Sequence, residues 1–427
     1  MMKSRLARAG YSLLLRLVLP LYLVRVLRRG RSEPLYATSI GERVGRYRTA
    51  ARPCSIWIHA VSLGETLAAG PLIDALRQAM PGRALLLTHG TATGRNAGQS
   101  LLKEGDAQAW LPFDTPGAVR RFFDHFAPVA GVLMETEIWP NLLAEAQARG
   151  VPVLLANARM SERSRRRGER VRALLRPAFE GLAAAFAQTE ADAVRLRDAS
   201  VREVSVEGNL KYDIAPDPVL IARGRRWKDG LQARAVVLGA VTRDGEEASL
   251  LTAWHAVALP RPLLVIVPRH PQRFDAVSEL VSASGFSLSR RSQWGEGPPA
   301  QAAGVDVWLG DSLQEMPVWY TLADVALLGG SFEPLGGQNL IEAAACACPI
   351  VMGPHTFNFA QAAELAFAAG AAVRAQTMAE GVARAITIGG GNEQRRRAEA
   401  ALAFAAAHRG AAARMAEKIR RATTTEA

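Results

Sequence analysis

Apolar runs of strand length recur along this chain, each followed by a polar or glycine-bearing turn and then by a stretch with helical spacing. Few architectures accommodate that alternation. Strands that take turns with helices build βαβ units and a parallel sheet. In the first half the runs are 56–61, 84–88, 109–111, 129–134 and 151–155, with 185–187 and 204–206 closing the sheet. Helices are expected through residue 79 after the first strand, then at 91–104, 117–125, 140–149 and 164–180. Beyond the turn-rich stretch Tyr212-Asp213-Ile214-Ala215-Pro216-Asp217-Pro218 the alternation resumes, with strands at 235–238, 262–267, 305–309, 325–328 and 350–352. Gly389-Gly390-Gly391-Asn392 reads as a simple loop, and the Ala/Arg-rich tail from about 393 to 422 as helix. A chain of 427 residues exceeds one ordinary core. The expectation is α/β: two doubly wound, Rossmann-like domains at 31–212 and 231–427, a linker at 213–230, and a cleft at the carboxyl ends of both sheets.

Residues 1–30 stand apart. Tyr11 to Leu27 is almost wholly apolar, interrupted by Arg16, Pro20 and Arg25, with Lys3, Arg5 and Arg8 before it and Arg28, Arg29 and Arg31 after it. Seventeen helical residues reach roughly 25 Å, short of a ~30 Å hydrocarbon core. A central arginine adds ~2.5–3.5 kcal/mol to insertion. Basic flanks at both ends suit a membrane-associated helix in the interface, although a single marginal span remains open. No small-x-small cleavage site precedes Arg28-Arg29-Gly30-Arg31, which argues against a signal peptide. The net charge is +12, gathered in two places. Residues 1–52 hold twelve Lys or Arg against Glu33 and Glu42, and 159–176 hold eight Arg against Glu162 and Glu169. One face is therefore expected to meet an anionic partner. Nucleic acid is not expected, because only 6% of residues are aromatic and the arginine run at 159–176 has none interleaved for stacking. The three cysteines, Cys54, Cys346 and Cys348, form no metal or disulfide pattern.

Gly329-Gly330-Ser331-Phe332-Glu333-Pro334-Leu335-Gly336-Gly337-Gln338-Asn339-Leu340-Ile341-Glu342 joins the 325–328 strand to a helix expected at 339–347. Glycines let the backbone approach a ligand, and free N–H groups at a helix start favour phosphate. Glu342, almost one turn in, is placed to take ribose hydroxyls, so the stretch reads as a nucleotide-sugar pocket, with a plain turn as the alternative.

Other candidates also follow strands, where open α/β sheets gather function. Glu65, in His59-Ala60-Val61-Ser62-Leu63-Gly64-Glu65, suits a general base for an alcohol, or else a helix cap. In Met134-Glu135-Thr136-Glu137-Ile138-Trp139-Pro140-Asn141, Glu135 is the active-site choice and Glu137 the structural one. Lys211, in Gly208-Asn209-Leu210-Lys211-Tyr212-Asp213, suits stabilisation of developing negative charge. Arg269, after Pro268, is a natural bidentate ligand for phosphate, and His270 either caps its helix or touches the base. No G-x-G-x-x-G follows a strand, and the P-loop, H-E-x-x-H and G-x-S-x-G patterns are missing. Dinucleotide, P-loop, zinc-protease and serine-hydrolase chemistry are therefore not expected, nor is a catalytic metal.

Taken with Asn157-Ala158-Arg159-Met160-Ser161, Pro268-Arg269-His270-Pro271 and Gly353-Pro354-His355-Thr356-Phe357-Asn358-Phe359, these motifs resemble the Kdo (3-deoxy-D-manno-octulosonic acid) transferases of lipopolysaccharide biosynthesis. The resemblance covers about residues 10–360, in the same order. It implies a GT-B glycosyltransferase on the cytoplasmic side of the cell inner membrane, associated with its anionic lipids. Such an enzyme moves Kdo from CMP-Kdo, its donor substrate, to a lipid A precursor (lipid IVA), with inversion and with neither metal nor other cofactor. It further implies Glu65 as general base, with Glu135 and Lys211 stabilising the transition state. CMP contacts are implied at Pro268, Arg269, Gln314, Glu315, Met316, Asn339, Leu340, Ile341 and Glu342. Two departures stand out: Gln314 occupies a usual glycine in the 310–316 turn, and Asn339-Leu340-Ile341-Glu342 replaces N-P-L-E. A membrane-associated transferase using another nucleotide sugar, or a non-catalytic anionic-lipid binder, are the alternatives.

Overall fold

A computed structural model describes residues 2–50 and 55–424, so Cys54 lies outside the described residues. Two compact units account for the chain: Met1–Ile214 with Arg409–Ala427, and Ala215–His408.

The first unit is built on β1 (Ile56–His59), β2 (Leu85–His89), β3 (Ala107–Trp110), β4 (Ala130–Met134), β5 (Val153–Ala158), β6 (Ala184–Ala187) and β7 (Val204–Val206). They form one parallel sheet in the order β3-β2-β1-β4-β5-β6-β7. The strands are near-continuous apolar runs because helices cover both faces. Alternate residues serve opposite layers. Trp57, Leu133 and Leu155 meet Phe122, Phe123 and Phe126 on one side. Ile56, Ile58, Val132 and Leu154 meet Leu72, Ile73, Met415 and Ile419 on the other.

In the second unit, β8 (Val236–Thr242), β9 (Leu263–Pro268), β10 (Leu288–Arg290), β11 (Val307–Leu309), β12 (Val325–Leu328), β13 (Ile350–Met352) and β14 (Ala372–Arg374) form a second parallel sheet. Its order is β10-β11-β9-β8-β12-β13-β14. β10 and β14, three residues each at the sheet edges, have no counterpart in the sequence reading. Cys346 and Cys348 are buried free thiols here.

Several expected boundaries are corrected. The helix expected at 164–180 is two, Glu162–Arg170 and Arg172–Glu180, broken at Val171 (φ −119°). The helix expected at 339–347 is only Leu340–Ala345, because Asn339 is its N-cap. Of the expected linker 213–230, Pro218–Gly230 is a helix capped by Asp217 and packed on the helix Met316–Leu322. Gly391 and Asn392 open a helix rather than lie in a loop.

The tail is likewise two helices, Gly391–Ala407 and Ala411–Thr424, and the second does not stay with the expected 231–427 domain. Asp213 accepts from the amides of Gly410 (2.5 Å) and Ala412 (2.7 Å) and so caps that last helix. Ala411, Met415 and Ile419 are then buried in the first unit's core, and Arg414 and Lys418 pair with buried Glu207.

The helix Met2–Arg29 docks along one side. Ser12 and Val26 are buried, and Leu15, Leu19, Tyr22 and Leu23 are half-buried on the same stripe. Tyr11 donates to Asp114 (3.1 Å), Ser12 to Asn141 (3.1 Å), and Tyr22 stacks on Phe113. The other side leaves Leu13, Leu14, Leu17, Leu21 and Val24 exposed.

Candidate active site

Each sheet reverses its strand order beside its first strand, and the candidates collect at those reversals. In the first unit the reversal lies between β1 and β4, where His59 is in register with Leu133. The turn after β1 carries Glu65 and the turn after β4 carries Glu135 and Glu137. A crevice at the carboxyl ends of such a pair is where open α/β sheets bind ligands.

Glu65 is tied down as a capping box. Ser62 Oγ accepts from the Glu65 amide (3.4 Å), while the Glu65 carboxylate accepts from the Val61 amide and the Ser62 hydroxyl, both at 2.8 Å. Burial pushes its pKa above the usual value, opposed by the Val61 and Ser62 hydrogen bonds, and the Glu135 charge adds to the rise. Glu135 directly follows β4 in the left-handed region (φ 58°), its amide donating to the Ala156 carbonyl (2.9 Å). Strained backbone of this kind concentrates at functional sites. Glu137, the residue read as structural, is the most perturbed of the three: burial and then the Glu65 charge push its pKa up to about 7, and Trp139 offsets part of the rise.

Lys211 lies on the turn Leu210–Asp213, which packs on the helix Leu63–Ala79 that Glu65 opens. A relay of amides fixes that turn. Asn157, left-handed at φ 53°, accepts from the Leu210 amide (3.1 Å) and, through its carbonyl, from Gln188 (2.9 Å). Gln188 accepts from Asn209 (3.0 Å), whose own side chain takes the Lys211 amide (3.0 Å).

Beneath these loops sits a neutral histidine pair. His59 Nδ1 lies 2.9 Å from Thr88 Oγ1, its Nε2 has no hydrogen-bond partner, and burial lowers its pKa to about 3. His89, bonded to Ala60 and Gln108, is lowered to about 4 by burial. Sequence reasoning passed over His89, which no motif marks.

The second unit reverses between β8 and β12. Gly329 lies so close to β8 that an added Cβ would stand 2.5 Å from the Val241 carbonyl, and Val241 itself is left-handed (φ 55°). The amides of Gly330 and Phe332, early in the glycine turn, are already taken. The fully buried Glu246 carboxylate accepts from Gly330 (2.7 Å), Phe332 (3.1 Å) and Arg243 (2.9 Å). The anion in this first part of the turn is thus the protein's own. Gly336 and Gly337 (φ 89° and 79°) are next, leading into N-cap Asn339, and the Gly337 amide donates to the Gly330 carbonyl (2.6 Å). Glu246 had no assigned role, since its partners Gly330 and Phe332 are more than eighty positions away.

The other expected donor contacts line the same carboxyl edge, after β11, β9 and β12. Pro268 ends β9 and Arg269 is exposed, its amide donating to Thr242 (2.9 Å). Gln314 holds φ 63°, so the turn keeps a glycine-like backbone without the glycine, at roughly 1–2 kcal/mol of strain. The Glu315 carboxylate is occupied by Arg291 (2.9 and 3.0 Å), Arg223 (2.8 Å) and Ser312 (2.6 Å). Met316 opens the next helix. Asn339 caps its helix through Ile341 (3.2 Å), and Leu340 and Ile341 are buried, which leaves only their main chain to a ligand. Burial raises the Glu342 pKa, and no cation pairs with it among the described residues.

Two parallel-sheet units of this kind make the GT-B architecture. Solved structures share the fold: a glycosyltransferase from Rickettsia africae ESF-5 superposes with a TM-score of 0.59 at 11% identity, over 88% of this chain and 100% of that one. Anabaena Alr3699/HepE in complex with UDP gives 0.55 at 14% identity, over 87% and 100%. Residues 38–214 match the family described as 3-deoxy-D-manno-octulosonic-acid transferase (kdotransferase). The 3-deoxy-D-manno-octulosonic acid transferase of Bordetella pertussis is 45% identical over 96% of this chain and 98% of its own, and that of Haemophilus influenzae is 33% identical over 82% and 83%. The chain belongs to the 3-deoxy-D-manno-octulosonic acid transferase family.

Proposed function

We propose that this enzyme transfers Kdo from CMP-Kdo to a hydroxyl of a phosphorylated glycolipid, the lipid A precursor lipid IVA, in lipopolysaccharide biosynthesis. The observation that carries the reading is Glu65: a carboxylate at the β1/β4 reversal whose basicity is raised by burial and by Glu135. In this reading Glu65 takes the acceptor proton as the hydroxyl attacks the anomeric carbon of Kdo. CMP leaves from the opposite face, so the reaction inverts configuration. Lys211 and Glu135 stabilise the charges that develop in the transition state.

The donor is assigned to the second unit. Arg269 and the main chain of 336–342 receive the phosphate, Glu342 receives the ribose hydroxyls, and the 310–316 turn contributes its backbone. Glu315 orders that turn through Arg291 and Arg223 rather than by direct contact. The reading needs no catalytic metal, and among the described residues no group of three His, Cys, Asp or Glu is arranged to hold one.

Membrane attachment is assigned to Met2–Arg29. Its length and an 18-residue stretch of mean hydropathy 1.6 would allow a span. A helix bolted to the unit through Tyr11, Ser12 and Tyr22, with one apolar face left open, is instead suited to lie in the interface, on the cytoplasmic side of the inner membrane. Its arginines meet the anionic lipids there.

Purified protein incubated with CMP-Kdo, lipid IVA and EDTA should give a product heavier by Kdo, with inverted anomeric configuration by NMR. Transfer only from a UDP-sugar, or only after metal is restored, would overturn the corresponding part.

A further inference from the structure

A second cavity, of about 320 Å³, opens in the first unit beside the carboxylate loop. Thr136, between Glu135 and Glu137, lines it, and so does Arg159, whose amide reaches the Glu135 carbonyl (3.4 Å). Its interior is hydrocarbon: Ile138, Leu155, Met160, Leu175, Phe179 and Leu196. Its rim is cationic, with Arg159, Arg165, Arg172 and Arg176 against Glu169 and Asp198. Arg165 and Arg176 are engaged by Glu162 (2.8 Å) and Glu180 (2.7 Å), but Arg159 has no carboxylate partner among the described residues. The volume lies at the low end of the ~300–1,000 Å³ of ligand sites, enough for one chain rather than several.

An apolar wall under an arginine rim leaves a free sugar only Thr136, Ser164 and Ser200 as uncharged polar partners, and a free phosphate would leave that wall uncovered. It fits one hydrocarbon chain joined to an anionic headgroup. Its wall Arg172–Glu180 packs directly on the helix Met2–Arg29, whose open face is apolar. The cavity therefore lies beside the helix to which membrane attachment is assigned.

We infer that this cavity seats one acyl chain of the lipid acceptor, with Arg159 taking phosphate charge at its mouth, and so registers the acceptor against the carboxylate loop. The inference rests on the proposed lipid acceptor and deepens it. Specificity for an acylated acceptor then comes from this site rather than from the membrane alone.

Gly168 lines the cavity within a helix, and a Cβ there would stand 3.6 Å from Leu175, so a large side chain at this position projects into the space. Full-length wild type and Gly168→Trp are compared on two acceptors, the phosphorylated glucosamine disaccharide with its acyl chains and the same disaccharide without them. The ratio of kcat/KM, acylated over deacylated, should fall at least tenfold in Gly168→Trp, with the loss in KM for the acylated acceptor and KM for CMP-Kdo unchanged. Leu175→Trp, filling from the neighbouring helix, should do the same, which guards against a misfolded single variant. By calorimetry, dodecyl phosphate below its micelle concentration should bind wild type at least tenfold more tightly than either variant, and inorganic phosphate should not distinguish them. An unchanged ratio overturns the assignment, even if dodecyl phosphate binding is lost, because the cavity then holds a bilayer lipid. Equal dodecyl phosphate binding by all three proteins overturns the cavity itself. If wild type transfers to neither acceptor, the proposed function fails separately, and calorimetry still decides the cavity.

Discussion

Glu65 holds two roles with the same oxygens: it closes a capping box, and in the proposed reaction it receives a proton. The first lowers its basicity and the second needs it raised. Burial and Glu135 win, since its pKa lies above the usual value despite the cap. Its neighbour Glu137 shows the cost of collecting carboxylates at one strand reversal. Folded, Glu137 ionises near 7 instead of 4.5, so its contribution to stability is fully present below about 4.5 and is lost as pH rises through about 7. Glu137→Gln keeps a neutral side chain. By urea denaturation it should be more stable than wild type by roughly 2–3 kcal/mol at pH 8, with no difference at pH 4.5. His59, depressed to about 3, works in the opposite direction: its contribution is present above about 6.5 and is lost as pH falls toward 3. The motif made Glu65 and Glu135 legible in the sequence. Which of Glu135 and Glu137 would be desolvated was not, because two positions in one turn are separated by side-chain direction and not by composition.

Among the elements, the glycine turn after β12 is organised by a carboxylate from the helix after β8. The sequence shows the glycines but not what fills them, because Glu246 and Gly330 meet only once β8 and β12 pair. Glu246→Ala strands three amides, a loss of at least ~3 kcal/mol at 1–3 kcal/mol per buried unsatisfied group. Denaturation should place that loss in the second unit, and calorimetry should show CMP-Kdo binding at least tenfold weaker. The N-terminal helix was legible as apolar and basic, while its docked stripe was not, since Ser12 and Tyr22 acquire meaning only against Asn141 and Phe113. Leu14, Leu17 and Leu21 share the open face. Changing all three to Asp should reduce sedimentation with anionic vesicles at least tenfold and leave thermal unfolding nearly unchanged. Undiminished sedimentation would move the attachment to the arginine-rich helix Glu162–Arg170.

At the scale of the molecule, both sheets were readable because parallel strands covered on both faces are written as apolar runs. The ownership of the last helix was not. Propensity says that 411–424 is helical, but not which core receives Met415 and Ile419. Truncation after His408 removes those two buried side chains, about 1.5–3 kcal/mol each, and leaves Glu207 buried without its cations, about 3–5 kcal/mol. That sum is comparable to the ~5–15 kcal/mol stability of a domain. The truncated chain should lose cooperative unfolding of the first unit while the second still binds CMP, as limited proteolysis and calorimetry can report.

The central claim, that Glu65 is the base, is tested most directly by Glu65→Gln. Glutamine retains the capping box and cannot accept the proton. In that variant kcat should fall about 10²–10⁴-fold, with CMP-Kdo affinity and thermal stability close to wild type. A variant that keeps more than a few per cent of wild-type turnover would contradict it and leave Glu65 as a helix cap.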